Sequence, residues 1–376
     1  MGKIALNYIY LSRKHAGGKD QVGLNLLRGF FELGCTKNML VFCFDYSYET
    51  IKSIAPDVEI VPLKCKVKGN NELMRLSYVS YINTFKLPEL IKKYSVDLIY
   101  HLSCNNGLKK FDCISVVIPH DIKAVSHRVL ADVKIPFYKY YLYKWMYKLD
   151  FEHADYIIAI SDFDKDDIKS FYPKYRKKVH RIYNPIVTEN IQRPKKGKGK
   201  YICALNLQFI HKNIITLIKA YEMVKDEISY NLVLIGSVPK RVAFIKEYVK
   251  KHNLQNRIKF TGFISDDEVN KIFENCVLYV NPSLYEGFGM TAVEAMIKKL
   301  PILVSKIPAH YEVTMGLANY YEPAENEKAL AEMLIWCLSN QPAEEQLEAI
   351  SKKMVSKYDY VNISRQYYEF FKHILL

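Results

Sequence analysis

At 376 residues, 49% of them hydrophobic, the chain is long enough to fill two cores of ordinary size, which excludes a mostly disordered protein. Its eight cysteines are scattered without a C-x-x-C pair, so neither a disulfide framework nor a zinc site is indicated, and reduced cytosolic thiols are expected. The net charge of +14 calls for an anionic partner; nucleic acid, anionic lipid and phosphorylated substrate all suit it.

In chain order, residues 1–10 read as a strand with polar interruptions rather than a signal peptide, and no run approaches the roughly 18 apolar residues needed to span a bilayer. Gly17 and Gly18 follow in a loop. A helix is then predicted over 20–33, with Leu24, Leu27, Phe30 and Phe31 along one face and Gly34 as its stop. Strands are predicted at 39–44, 59–62, 96–102, 114–118, 156–160 and 179–183, alternating with amphipathic stretches as in parallel sheets with helical crossovers. Residues 134–148 carry four lysines, seven aromatics and no acid. Tyr and Trp rings with Lys suit an anionic membrane surface, and equally a helix whose aromatic side fills a core.

Composition then shifts. Residues 187–200 are polar and basic, ending in Pro-Lys-Lys-Gly-Lys-Gly-Lys, and read as a solvated linker. No aromatics interleave with these lysines, which argues against nucleic-acid binding there. A second α/β unit is predicted beyond it, with strands at 201–205, 232–235, 258–261, 277–280 and 302–305 and helices near 213–225, 242–252, 266–275 and 291–299. Ser265 and Glu268 form a capping box opening the third of these helices. A last amphipathic helix covers 358–376. The expected domains are therefore 1–186, a linker 187–200, and 201–357.

The segment Asn281-Pro-Ser-Leu-Tyr-Glu-Gly-Phe-Gly-Met-Thr-Ala-Val-Glu-Ala-Met296 is the most informative of the chain. It runs from an apolar strand through a glycine-bearing loop into a helix, and unpaired backbone N–H groups at such a helix start favour an anion. Gly287 and Gly289 allow close approach of a ligand to the backbone. Glu286 in the loop and Glu294 in the helix are acceptors for hydroxyl groups. Phosphate flanked by polyols describes a nucleotide sugar; the alternative is an ordinary strand-to-helix turn whose glutamates complement the helix dipole.

Glu-x7-Glu inside Pro-Ser-x-x-Glu-Gly-Phe-Gly, followed by Glu-Ala-Met and a Pro-led strand, resembles the donor signature of family 4 retaining glycosyltransferases. The resemblance implies an α/β GT-B fold, two Rossmann-like parallel-sheet domains facing across a cleft, with the last helix returning to the first domain. It implies that Glu286, Gly287, Phe288, Gly289, Met290, Thr291 and Glu294 meet the donor. Gly236 and Phe263 match the positions around the nucleotide, Lys212 the lysine against the diphosphate, and His120 the histidine near the reacting centre. Ser161 and Asn184 match cleft-lining positions, though a hydroxyl and an amide are equally caps or turn formers. Gly17 and Gly18 match the loop that approaches the diphosphate. One departure stands out: where the family has an Arg five or six residues before the lysine, this chain has Asn206 and Leu207.

The implied activity is metal-independent transfer of a hexose, with retention, from a nucleoside diphosphate sugar to a hydroxyl of a saccharide or lipid-linked saccharide. The expected setting is O-antigen, capsule or lipopolysaccharide core assembly in the cytoplasm, on the inner face of the plasma membrane, with no nucleic acid and no metal or other cofactor. A nucleotide-sugar epimerase of the same architecture is the rival enzyme. A non-catalytic nucleotide-sugar or nucleic-acid binding protein is the rival from another class.

Overall fold

The computed structural model describes residues 2–15, 17–67, 72–127, 129–130, 133–134, 136–188 and 199–376, with backbone only at 72–73, 129–130 and 133–134. The basic run expected as a linker falls largely outside the described residues, as do Ile135 and the side chain of Lys134. The chain forms two compact units, Met1–Val187 with Tyr358–Leu376, and Thr188–Lys357.

In the first unit the strands are β1 (Ile4–Asn7), β2 (Met39–Phe44), β3 (Glu59–Leu63), β4 (Leu98–His101), β5 (Ile114–Val117), a short pair β6 (Val129–Leu130) and β7 (Val133–Lys134), then β8 (Tyr156–Ala159) and β9 (Val179–Arg181). Its helices are α1 (Gly18–Glu32), α2 (Tyr48–Ile54), α3 (Glu72–Tyr81), α4 (Leu87–Lys93), α5 (Lys123–Ser126), α6 (Phe137–His153) and α7 (Asp162–Phe171). Seven strands form a parallel sheet in the order β3-β2-β1-β4-β5-β8-β9. Helix α1 stops as its glycine requires: Gly34 has φ 66°, and its N–H and that of Cys35 return to the Phe31 and Phe30 carbonyls, closing the last turn.

Strand β1 ends three residues before the predicted limit. The Asn7 amide turns into a polar cluster, donating to Asn83 Oδ1 at 3.1 Å and to His101 Nδ1 at 3.0 Å, and Leu11 N–H closes a turn on the Tyr8 carbonyl. Asp150 of α6 holds the loop beside this cluster, accepting from the Asn105 and Asn106 N–H groups at 2.8 Å each. Burial pushes its carboxyl up to about 6 against the pull of those two donors.

The basic aromatic helix α6 divides its rings. Tyr140 and Phe151 enter the core with Ile157 and Ile168, while Phe137, Tyr138, Tyr141, Leu142 and Trp145 face solvent. The core-filling reading holds for Tyr140 and Phe151, while the rings on the other side stay exposed.

The second unit contains β10 (Tyr201–Leu205), β11 (Asn231–Ile235), β12 (Ile258–Phe260), β13 (Cys276–Asn281), β14 (Ile302–Ser305) and β15 (Asn319–Tyr321). Its helices are α8 (Ile214–Val224), α9 (Phe244–Lys251), α10 (Asp266–Phe273), α11 (Met290–Ile297), α12 (Pro308–Val313), α13 (Glu327–Ser339) and α14 (Glu344–Tyr358). The parallel sheet runs β12-β11-β10-β13-β14-β15. The predicted capping box is present, with Ser265 accepting from Glu268 N–H and Glu268 accepting in return. The helix expected over 242–252 begins instead as a tight 3-10 turn, Lys240–Val242, before α9.

The chain ends in α15 (Tyr360–Leu375), capped by Asp359 and packed on the first unit. Gly29 of α1 leaves room for Ser364, while Tyr367 and Phe371 meet Tyr100 of β4 edge-on or tilted. A Cβ at Gly29 would fall well inside contact distance of the Ser364 hydroxyl, so this crossing depends on the glycine. Among the described residues no helix is long and apolar enough to cross a membrane.

Candidate nucleotide-sugar site

In the second sheet the strand order reverses between β10 and β13, and ligands of open α/β sheets bind beyond the carboxyl ends of strands at such a point. Two loops leave there side by side: residues 206–213 after β10 and residues 282–289 after β13. Leu284 N–H donates to the His211 carbonyl at 2.8 Å and ties them together.

Lys212 ends the short turn Ile210–Lys212, and Asn213, in the left-handed region at φ 55°, then starts α8. The Asn213 amide donates to the Ala324 carbonyl at 2.8 Å, which fixes the turn from which Lys212 projects. The Lys212 ammonium donates to Glu286 Oε1 at 2.6 Å, and the two side chains keep only 15% and 12% of their exposure. The resemblance sets this lysine against a donor diphosphate; in this structure its ammonium meets the Glu286 carboxylate.

Glu286 is held tightly. Ser283 donates to its Oε1 at 2.7 Å, and Ser305 in turn bonds the Ser283 carbonyl. Burial pushes the carboxyl up, but the Lys212 ammonium, the His310 ring and these hydrogen bonds outweigh it and hold the group at about 2. Behind the loop, His310 Nδ1 lies 3.0 Å from the Ser305 carbonyl, which can only accept, so Nδ1 carries the hydrogen. The buried Nε2 then has a lone pair and no partner among the described residues. Burial lowers this imidazole's pKa, with Glu286 pulling the other way.

Gly289 has φ 91°, and a Cβ there would lie 3.1 Å from the His310 ring. Conformation and space both demand glycine. Met290 opens α11, Thr291 follows it, Phe288 is buried, and Gly287 is half-buried. Glu294, one turn further, has no hydrogen-bond partner for its carboxylate among the described residues, and burial pushes its pKa up against the pull of Lys298. Gly236 follows β11 and bridges Gly262, and Phe263 just beyond is 74% exposed.

The remaining candidates belong to the first unit. His120, at the end of β5, has φ 66°, and its Nε2 lies 2.8 Å from the Leu102 carbonyl. That bond leaves Nδ1 as an acceptor, and burial lowers the imidazole to about 4, so the ring is neutral near pH 7. Gly17 and Gly18 start α1, with open space where a Gly17 Cβ would stand. Ser161 is spent as the cap of α7, accepting from Asp164 N–H at 2.9 Å. Asn184 is buried with its side-chain oxygen unpartnered. The structure joins Lys212 and Glu286 directly; the sequence missed Ser283, Ser305 and His310. Ser283 lay within the quoted motif, whereas a lone histidine two residues after Pro308 gives no spacing signal.

The family model described as Glycosyltransferase Family 4 matches residues 17–190, and that described as Glycosyl transferases group 1 matches residues 187–354. The O-antigen chain mannosyltransferase RfbU of Salmonella typhimurium is 27% identical over 283 residues, covering 72% of this chain and 76% of the relative. The serotype-specific mannosyltransferase WbdA of Escherichia coli is 26% identical over 279 residues, which span 69% of this chain but only 34% of the relative. Among solved structures, the sucrose-phosphate synthase of Thermosynechococcus elongatus shares the fold with a TM-score of 0.82, at 17% identity over 100% of this chain and 99% of its own.

Removing one partner of a largely buried ion pair strands the other charge. Lys212→Met is therefore expected to destabilise the second unit by roughly 3–5 kcal/mol, and adding Glu286→Gln to recover most of that loss. Because folding depresses the Glu286 pKa from 4.5, the pair's contribution is full above about 4.5 and is lost as pH falls toward about 2. Chemical unfolding of the single and double variants measures this; equal stability of Lys212→Met and the double variant would remove the pair from the account.

Proposed function

The chain belongs to the family 4 glycosyltransferases, and from that premise we propose that it moves a hexose, with retention, from a nucleoside diphosphate sugar to a hydroxyl of a saccharide or lipid-linked saccharide. The carrying observation is the Lys212–Glu286 pair at the strand-order reversal, with Glu294, which has no hydrogen-bond partner among the described residues, on the adjoining helix. The two carboxylates differ as two roles require. Glu286, ionised over the whole working pH range, accepts from hydroxyls of the transferred sugar. Glu294 accepts from the ribose hydroxyls. Phe263 offers its exposed ring to the base beside Gly236, and Lys212 with the N–H groups at Gly289, Met290 and Thr291 faces the diphosphate.

In the transfer, the bond from the sugar C1 to the diphosphate oxygen breaks and its electron pair leaves with the diphosphate. The acceptor oxygen bonds C1 from the same face, and its proton passes to the departing oxygen. In the first unit, His120 is neutral and its Nδ1 can accept from a sugar hydroxyl, while Gly17 and Gly18 at the start of α1 suit close approach of phosphate. Asn184 offers a buried side-chain oxygen with no partner among the described residues, and Ser161 serves as the cap that holds α7 at the end of β8. The mannosyltransferase relatives support a hexose donor and a setting in O-antigen or related polysaccharide assembly.

The α6 face supports a cytoplasmic protein that docks on the inner face of the plasma membrane. Phe137, Tyr138, Tyr141, Leu142 and Trp145 are exposed beside Lys139 and Lys148, the arrangement of an interfacial helix.

Glu294→Ala is expected to weaken donor binding, and Glu286→Ala to lower turnover, each by about 1.5–3 kcal/mol, the cost of a lost charged hydrogen bond. Steady-state kinetics with EDTA present checks both, and the wild-type rate is expected to survive the chelator. Full activity in the double variant would overturn the site, and a strict need for added Mg or Mn would overturn the metal-free departure.

Vesicles containing anionic lipid are expected to sediment the protein and release it in salt, at about 1 kcal/mol per basic residue. Replacing Lys139, Lys144 and Lys148 by Glu should abolish sedimentation while transfer to a soluble acceptor continues. Continued sedimentation of that variant would move the docking elsewhere.

A further inference from the structure

Lys212 does not meet a donor diphosphate with a free charge, since Glu286 already neutralises it at 2.6 Å. The two positions where a second cation would stand supply none. Asn206 is in the left-handed region at φ 67° with its N–H on the Ile235 carbonyl at 3.1 Å, and Leu207 is buried in the core. A diphosphate at this strand-order reversal therefore lacks cationic charge unless another element brings it.

The loop after β11 brings it. Arg241, exposed on the turn Lys240–Val242, holds its guanidinium carbon 4.5 Å from the centre of the Phe209 ring. Phe209 precedes the Lys212 turn and its ring stacks on His211, 5.5 Å between centres and 26° between planes. His211 in turn accepts from Leu284 in the Glu286 loop. The start of the loop after β10 is also tied to the end of β11, where the Asn206 N–H donates to the Ile235 carbonyl. Arg241, Phe209, His211, Lys212 and Glu286 thus form one chain of contacts across the reversal. No carboxylate pairs with Arg241 among the described residues. The aromatic face holds the guanidinium by a cation–π contact, its N–H groups have no hydrogen-bond partner among the described residues, and such groups bind phosphate oxygens in pairs.

We propose that Arg241, oriented by Phe209, supplies the second cationic contact to the donor diphosphate, in place of a cation at Asn206 or Leu207. This rests on reading the second unit as a nucleotide-sugar donor site. Arg241 is the binding residue; Phe209 is a positioning residue that acts through it.

The test is calorimetric titration at low salt with UDP, GDP and ADP, the matching monophosphates, and inorganic pyrophosphate. Arg241→Ala is expected to weaken whichever diphosphate the wild type prefers, and pyrophosphate, by tenfold or more, with the monophosphate changed much less. Arg241→Lys should restore only part, since an ammonium is a point charge without the paired donors. Phe209→Leu should weaken the diphosphate less than Arg241→Ala and add little to it in the double variant. A merely structural role would lower all ligands together and would not change the diphosphate-to-monophosphate ratio. If the wild type binds a diphosphate and Arg241→Ala binds it equally, the Arg241 role falls and the donor-site reading stands. If the wild type binds none of the diphosphates, the donor-site reading itself falls, and Arg241 with it.

Discussion

An ion pair withdrawn from water dominates the second unit. A lysine and a glutamate this close, and this poorly exposed, are held only where geometry and extra hydrogen bonds offset their lost hydration. The surrounding residues supply that. Ser283 bonds the carboxylate, Ser305 bonds the Ser283 backbone, and His310 braces Ser305 while packing against the one glycine that can adopt the backbone at 289. The parallel sheet makes the pair available at all, because the reversal of strand order brings the loops after β10 and β13 together.

That constraint separates two glutamates only eight positions apart. Glu286 faces the Lys212 cation and the Ser283 hydroxyl and stays ionised far below neutral pH, whereas burial raises the pKa of Glu294. Environment rather than residue type keeps one carboxylate ionised and raises the pKa of the other. The same pair also sets a charge problem. A lysine tied to a carboxylate is a weak anion trap, so in the donor reading proposed above phosphate affinity comes from backbone N–H groups, the helix start and further cations.

Much of the fold was legible in the sequence. Strands β2, β10 and β14 have the limits their apolar runs suggest, and Gly34 and the Ser265–Glu268 box end and begin helices as their chemistry requires. Strand β15 is only three residues long, too short for a periodic signal. Residues 8–10 are apolar enough to continue β1, yet the Asn7 amide is drawn into a buried polar cluster with Asn83 and His101 from distant segments. The site divides the same way. A local motif marks Glu286, Gly289 and Glu294, but Ser305 and His310, which brace that loop, come from the next strand and helix, and Arg241 faces Phe209 across 32 positions of sequence. Such long-range partners leave no local pattern. The divided face of α6 was equally hidden, because tyrosines surround the helix on all sides and only packing decides which are covered.

The central claim is that the second unit grips a nucleotide by its ribose through Glu294, beside the Lys212–Glu286 pair. The most direct measurement titrates wild type and Glu294→Ala with a nucleoside diphosphate and with its 2′,3′-dideoxy analogue. The account predicts that losing the ribose hydroxyls weakens binding to wild type about tenfold or more, on the scale of a charged hydrogen bond, and has little effect on binding to Glu294→Ala. An equal penalty in both proteins would contradict it.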